Sequence, residues 1–384
     1  MSLLVLGSCY EYMQEPVITE TFIKLYGDIY PMTAVDAKPH PDGGYLLLAN
    51  AEFPIDEGTA FMQKLIKINE GGYEEWETAL EHGRNEVSYA LELTPNNSYL
   101  IAGKYINGDK EEFMLAETNQ NGEILNRFTK TFAENSAARA VHVRSNGNYF
   151  VVGTVGNDKV RSYALELAPD FTEISSQLFD DNSKISIATT LVENNQGQMF
   201  WAGTVDHGAM KKANLTGYTP PGLVEADDEF PKDNTQFDLK TFMSPSENNF
   251  VFLGTTPSGD QTDLDFLYAS SSGQLISRST FPGVGNDVPV SVARASDGGF
   301  LALSKSESNR AGYGTDFMLL KIVPEGSGAV NIFGDRLYFG GQNDDTPATV
   351  LTTPDGGILM YGHTNFANAN ILIVYKVKVN GGFN

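Results

Sequence analysis

The chain has 384 residues, of which 41% are hydrophobic, and a formal net charge of −23. This acidity, without a cluster of Lys and Arg, argues against nucleic acid as a partner, because phosphate backbones attract cationic surfaces. It also argues against attraction to anionic lipid surfaces, and no internal stretch reaches the roughly 18 apolar residues of a membrane helix. The 38 glycines are typical of a fold with many tight turns.

The N-terminus carries a short apolar run that ends in small residues before Cys9, the single cysteine. One cysteine excludes a disulfide within the chain. Residues 6–9, Leu-Gly-Ser-Cys, resemble a bacterial lipobox, in which the cysteine becomes the lipidated first residue of the mature protein. The resemblance implies that residues 1–19 are a truncated signal and linker. It also implies lipidation at Cys9, and a protein of the bacterial outer membrane, cell surface or periplasm that touches the membrane only through its lipid.

Seven apolar runs of one design follow along the chain. Each starts at a large side chain and ends four residues later at a small one, and successive runs lie 50 to 58 residues apart. The runs begin at Tyr45, Tyr99, Tyr149, Met199, Phe250, Phe300 and Ile358. A repeat of this length indicates an array of one supersecondary unit, in which each unit buries its apolar surface against its neighbours.

Each unit is predicted to contain four strands, here named a, b, c and d. In the second unit these are residues 87–94, 99–103, 113–117 and 124–128, and Asn-Gly and Gly-Asp pairs between them favour tight hairpin turns. The b strands show no polar alternation, which predicts burial on both faces, as in stacked blades. We therefore predict an all-β fold, a seven-bladed β-propeller of four-stranded antiparallel blades.

The two ends of the chain predict how the ring closes. The seventh unit supplies strands a, b and c, with c at residues 371–377, but no strand d. Residues 21–27 form an apolar strand with no unit of its own. We expect this N-terminal strand to complete the seventh blade, which removes an exposed sheet edge. Residues 20–384 are then one propeller domain, expected to be a monomer.

Several stretches carry a family resemblance. Residues 41–46 and 296–301 share an Asp-Gly-Gly turn before an apolar strand, and residues 65–69 and 316–322 share the pattern of a c strand. They are similar to secreted propeller lipoproteins of Bacteroidetes-type bacteria with delta-60 and kelch-like repeats. The resemblance covers residues 20–378. Because the shared residues are turn and core positions, it implies the fold and a cell-envelope location but no particular activity.

The sequence contains few signals for chemistry. No two of the five histidines have a metal-ligand spacing, and the nucleophile elbow, the phosphate loop and the dinucleotide fingerprint are absent. No catalytic residue, metal ligand or cofactor is therefore assigned. Acidic clusters recur in the d–a loops, where carboxylates could bind Ca²⁺ or could bond the local backbone.

Two functions remain open at this stage. The first is a non-catalytic propeller that binds a protein or glycan ligand or acts as a scaffold. The alternative is a carbohydrate-active enzyme, a glycoside hydrolase or lyase, with carboxylates near the central channel. Variable loops on a rigid scaffold usually bind ligands, so we expect the face with the b–c and d–a loops to be functional. The candidate contact residues are Asp181, Asp287, Asp345 and His207.

Overall fold

The computed structural model describes most of the chain from residue 21 onward. The described residues are 21–27, 29–56, 58–80, 85–179, 184–187, 190–220, 222–233, 235–246, 249–270, 274–308, 314–367 and 369–383. They form strands and turns, without a helix. In this described part no helix is therefore long and apolar enough to cross a membrane.

The strands form seven antiparallel sheets, and the chain enters with β1 (Phe22–Tyr26). Blade 1 contains β2 (Met32–Pro39), β3 (Tyr45–Ile55), β4 (Gly58–Ile68) and β5 (Glu74–Leu80). Blade 2 contains β6 (Glu86–Leu93), β7 (Tyr99–Asn107), β8 (Lys110–Thr118) and β9 (Ile124–Lys130). Blade 3 contains β10 (Ser136–Val143), β11 (Tyr149–Val155), β12 (Arg161–Leu167) and β13 (Glu173–Leu178).

In blade 4 the a strand is split in two, and in blade 6 the d strand is split. Blade 4 contains β14 (Lys184–Ile187), β15 (Val192–Glu193), β16 (Met199–Asp206), β17 (Lys211–Thr219) and β18 (Leu223–Phe230). Blade 5 contains β19 (Asp238–Ser246), β20 (Asn249–Ser258), β21 (Gln261–Ser270) and β22 (Leu275–Phe281). Blade 6 contains β23 (Asp287–Arg294), β24 (Phe300–Ser306), β25 (Asp316–Glu325), β26 (Gly328–Asn331) and β27 (Leu337–Phe339). Blade 7 contains β28 (Asp345–Thr352), β29 (Ile358–Phe366), β30 (Ala369–Val377) and β1.

The N-terminal strand closes the ring as the sequence predicts. β1 pairs antiparallel with β30, from Phe22 opposite Lys376 to Tyr26 opposite Leu372. Phe22 and Tyr26 are buried in a cluster that joins blade 7 to blade 1. The Tyr26 hydroxyl also donates a 2.8 Å hydrogen bond to the carbonyl of Gly72 in blade 1. The first strand is therefore both an edge of blade 7 and a link to its neighbour.

The hydrophobic core consists of seven clusters, and each lies between two consecutive blades around the ring. Every b strand contributes side chains to the clusters on both of its faces, which explains its lack of polar alternation. The small residue that ends the apolar run has its own cause. A Cβ on Gly153 would lie 2.1 Å from the carbonyl oxygen of Ala137 on the adjacent a strand. The described residues thus form a seven-bladed β-propeller.

Candidate functional site

Every innermost strand carries a β-bulge. In six blades the bulge directly follows the residue paired with the small residue that ends the apolar run, whereas in blade 4 it lies nearer to the start of the strand. The register of each a strand against its b strand skips one residue, in all seven blades. A bulge redirects the side chain of the extra residue. The skipped residues are Val35, Tyr89, Arg139, Ile185, Lys240, Val290 and Ala348, and all seven are half-buried. We call this set the bulge ring.

Three members of the bulge ring, Val35, Tyr89 and Ala348, border a cavity. The cavity has a volume of about 520 Å³ and lies at the inner ends of blades 7, 1 and 2. Its apolar wall consists of Ala34, Val35, Phe61, Val87, Tyr89, Ile106, Pro347 and Ala348. Its polar wall consists of Thr33, Asn50, Ser88, Lys104, Thr346 and His363. Because these residues start a strands and end b strands, the cavity opens on the face of the b–c and d–a loops. We call it the channel-mouth cavity.

A second cavity of about 260 Å³ continues along the central channel. Val35, Tyr89 and Ala348 border both spaces, and Val290 borders only the inner one. The inner cavity also contacts Asp36, which is held by the backbone N–H of Leu91 at 3.1 Å and by the Thr349 hydroxyl at 3.0 Å. The Asp36 carboxylate thus ties blade 1 to blades 2 and 7 across the channel.

His363 supplies a polar group of the channel-mouth cavity. The backbone N–H of Ala34 donates to its Nδ1 at 3.4 Å. Burial, with a smaller contribution from the charge of Lys305, lowers the pKa of His363 to about 4. The imidazole is therefore neutral at pH 7, and the bond from Ala34 assigns the hydrogen to Nε2. Nε2–H is a donor for which no protein partner occurs among the described residues.

Two more polar residues of the cavity join blade 1 to blade 2. The Asn50 amide donates to the carbonyl of Ser88 at 3.1 Å, and the backbone N–H of Ser88 donates to Asn50 Oδ1 at 2.8 Å. The Ser88 hydroxyl is buried and has no hydrogen-bond partner in the described part of the chain. Buried polar atoms of this kind are costly, and this hydroxyl is covered by protein rather than open to the cavity.

Asp287, a predicted contact residue, lies buried between blades 5 and 6. Its carboxylate accepts hydrogen bonds from the hydroxyls of Ser306 at 2.5 Å and Ser308 at 2.9 Å, and Arg336 Nη1 lies 3.4 Å away. Burial raises its pKa, against the opposing effect of these partners. These partners all belong to blade 6, and Arg336 in turn donates to the carbonyls of Phe281 and Pro282 at the end of blade 5.

Asp345 occupies the equivalent position at the start of the a strand of blade 7. It is 1% exposed and accepts a 2.7 Å hydrogen bond from the N–H of Gly341. Burial raises its pKa, and the nearby carboxylates of Asp316 and Asp344 raise it further. Neither Asp287 nor Asp345 borders the channel-mouth cavity. Their role as ligand contacts stays a prediction.

The other predicted site residues lie elsewhere. His207 is at the outer end of blade 4, with a side chain that is 47% exposed and pairs with Glu229 at 3.0 Å. Asp181 and Cys9 lie outside the described residues. The structure therefore brings none of the described candidates together in one site. Among the described residues, no group of three or more His, Cys, Asp or Glu side chains is arranged to hold a metal ion.

The recurrent Asn and Asp residues of the d–a loops have a shared structural role. Instead of bonding only the local backbone, their side chains reach the preceding blade. Asn85 Oδ1 accepts from the N–H of Phe61 at 2.9 Å, and Asn135 Oδ1 accepts from the N–H of Glu111 at 3.1 Å. Asn286 and Asp344 make the same bond. The carbonyls of all four accept hydrogen bonds from backbone N–H groups at or directly after the end of the b strand of their own blade. One residue type at this position thus links successive blades.

An outer groove of about 510 Å³ lies between blades 6 and 7. Its rim includes Ile23, Leu25 and Phe366, each more than half exposed. Asp345 borders the groove from its buried side. None of the residues that line the groove borders the channel-mouth cavity or the inner cavity.

Comparison with known proteins supports the fold and leaves the function open. No protein-family model matches the chain, and no curated protein matches it. A Dyadobacter fermentans protein of unknown function has a similar structure, with a TM-score of 0.53 and 10% identity over 78% of this chain and 96% of its own. A Bacteroides caccae protein of unknown function is less similar, with a TM-score of 0.46 and 14% identity over 81% and 94% of the two chains.

A further structural neighbour is part of a membrane coat. A chain of the COPII outer coat vertex on membranes aligns with a TM-score of 0.57 and 13% identity, over 90% of this chain and 84% of that one. At such identities the likeness shows the fold alone. The class of the protein is thus a seven-bladed β-propeller with bacterial structural neighbours of unknown function.

Proposed function

We propose that the protein is a non-catalytic, ligand-binding propeller of the bacterial cell envelope, and that its ligand occupies the channel-mouth cavity. The observation that carries the proposal is a preformed, largely apolar cavity of about 520 Å³ whose wall includes the neutral imidazole of His363, with its Nε2–H as a donor for a ligand. Small-molecule sites are typically concave, of about 300–1,000 Å³, apolar and provided with a few polar groups.

The placement of the carboxylates supports binding over hydrolysis. A glycosidase-type site needs two carboxyl groups that flank a sugar in an open cleft. The buried carboxyls with raised pKa are Asp265, Asp287 and Asp345, and none of them borders the channel-mouth cavity or the inner cavity. Asp265 is paired with Arg278 at 2.6 Å. Each of these three carboxylates has a protein partner, which is typical of a structural role.

The chemistry of the cavity wall limits the chemical class of ligand that fits. A protein ligand or a small molecule could each place an apolar group against Val35, Phe61 and Ala348. A glycan would leave much of this wall without matching polar contacts, which costs binding free energy. We therefore propose an apolar ligand group. Monomeric state and the absence of a cofactor remain expectations, as does the alternative of bound Ca²⁺.

The cell-envelope location rests on the lipobox-like residues 6–9, with the bacterial structural neighbours as circumstantial support. Its test is metabolic labelling of the precursor with a palmitate analogue in a bacterial host, with Cys9→Ala as the control. Incorporation into the wild type alone supports the anchor. Equal labelling of both proteins, or of neither, removes it.

The binding proposal is tested with N-phenyl-1-naphthylamine, a neutral apolar probe whose fluorescence rises on binding. Ala348 lines the channel-mouth cavity, so Ala348→Phe should fill it and abolish saturable binding. The matched control is Val290→Phe, a change at the same register position of blade 6 that does not border this cavity. Binding that is absent in the wild type, or equal in the two variants, would contradict the proposed site.

A further inference from the structure

The members of the bulge ring differ in polarity and charge around the channel. On the side of blades 6, 7 and 1 its members are Val290, Ala348 and Val35, which are apolar. On the side of blades 3 to 5 its members are the cationic Arg139 and Lys240, with the apolar Ile185 between them. Tyr89 of blade 2 stands between the two halves and borders the channel-mouth cavity. The ring thus places positive charge beside an apolar cavity, in a protein of net charge −23.

The two cations differ in how they are compensated. Lys240 Nζ lies 3.1 Å from the Asp238 carboxylate, which Lys211 also contacts. Arg139 has no carboxylate within 4.0 Å among the described residues. Its guanidinium carbon lies 4.0 Å from the centre of the Tyr89 ring, a cation–π contact. Such a contact uses none of the N–H donors of the guanidinium, which stay available for an acceptor.

We propose that the channel-mouth cavity takes an amphipathic organic anion. Its apolar body lies against Val35, Phe61 and Ala348, and its carboxylate, sulfonate or phosphate group meets the edge of Arg139. The proposal rests on the proposed function and names its ligand class. A half-buried guanidinium that already contacts the Tyr89 ring loses little side-chain freedom on binding, so its bidentate pairing with an anion is favourable.

The test compares two probes with the same rings. 8-Anilinonaphthalene-1-sulfonate carries a sulfonate, and N-phenyl-1-naphthylamine lacks it. Charge-assisted hydrogen bonds predict that the wild type binds the sulfonate at least about tenfold more tightly than the neutral probe. In Arg139→Met this preference should fall to less than about threefold, while the affinity for the neutral probe stays within twofold of wild type.

Control variants distinguish an effect of the Arg139 position from a general loss of charge and from a loss of folding. Arg161→Met removes the same charge from the same blade at a residue that pairs with Glu134, and it should keep the preference for the sulfonate. Arg139→Lys should restore part of it, because the charge returns without the planar fork. Circular dichroism and the melting temperature of each variant verify that it is folded, since the sulfonate probe also binds partly unfolded chains.

Each outcome decides one question. If neither probe binds the folded wild type saturably, or if Ala348→Phe leaves binding intact, the cavity is not the site and both proposals fall. If the neutral probe binds in the cavity but the sulfonate binds no better, only the anion proposal falls. The anion proposal also falls if the preference survives in Arg139→Met or is lost equally in Arg161→Met.

Discussion

Removal of the aromatic side chain of Phe22 from β1 should lower the free energy of unfolding of the whole propeller. Phe22 on β1 is 9% exposed and packs in the cluster between blades 7 and 1. A Cβ on Gly72 of blade 1 would meet the Phe22 ring at 2.6 Å, so the ring lies directly on the backbone of the adjacent blade. Phe→Ala in a core costs about 3–5 kcal/mol. Because Phe22 lies at the margin of its cluster, we expect Phe22→Ala to cost about 3 kcal/mol.

The neighbouring residue supplies the matched control. Ile23 lies on the same strand, is 54% exposed and points away from the cluster. Ile23→Ala should cost less than about 1 kcal/mol. Urea denaturation followed by tryptophan fluorescence and far-ultraviolet circular dichroism measures both variants. Both probes are needed, because a chain of this length is not assured of two-state unfolding.

Deletion of residues 20–27 is the stronger form of the same test. It removes all five register pairs with β30 and leaves that strand as an open edge, which favours association with other chains. We expect the deletion variant to unfold at lower urea concentration than Phe22→Ala and to aggregate. If the deletion variant unfolds like the full chain, or if Phe22→Ala and Ile23→Ala are equally stable, closure by β1 does not stabilise the ring.

Three further predictions concern the blades and the cavity. Gly153→Ala should cost about 1–3 kcal/mol, because its Cβ would meet the Ala137 carbonyl at 2.1 Å; Gly27→Ala, whose Cβ has only a 3.7 Å contact, should be tolerated in the same melt. Because the pKa of His363 is lower in the folded protein than in the unfolded chain, the unfolded chain binds a proton at higher pH. As the pH falls from 6.5 to 4, the wild type should therefore lose up to about 3 kcal/mol of stability relative to His363→Gln. Urea midpoints of the two proteins that run parallel over this pH range would contradict this. Asp287→Asn should destabilise by more than about 1 kcal/mol, since Arg336 loses its charged partner, and should leave the affinity for N-phenyl-1-naphthylamine unchanged; lost affinity in a folded variant would instead make Asp287 a ligand contact.

The architecture could be predicted because each blade repeats the same local sequence pattern of apolar runs and turns. The apolar run from Tyr99 predicts a strand that the structure extends through Asn107, and the orphan strand at residues 21–27 predicts the pairing of β1 with β30. Both patterns can be recognised in a single segment of the chain, and both follow from the need of a strand to pair its backbone N–H and C=O groups with a neighbouring strand. Such requirements are the same in every blade, so the repeat reinforces them.

The site could not be predicted in the same way. The bulge ring draws one residue from each blade, about 50 residues apart, and the chemistry of these residues differs from Val35 to Arg139. Nothing local distinguishes them, because the bulge becomes visible only when a and b strands are paired. His363 could have been found: it directly follows the glycine that ends the seventh apolar run, where b strands reach the loop face. The acidic residues of the d–a loops led to the prediction of Asp287 and Asp345 as ligand contacts, although the structure buries both side chains.

The most direct test of the proposed site is a crystal structure of the protein with 8-anilinonaphthalene-1-sulfonate. We expect probe density in the channel-mouth cavity, with the rings against Val35 and Ala348 and the sulfonate at the edge of Arg139. Density in the outer groove between Ile23 and Phe366, with an empty channel mouth, would contradict it.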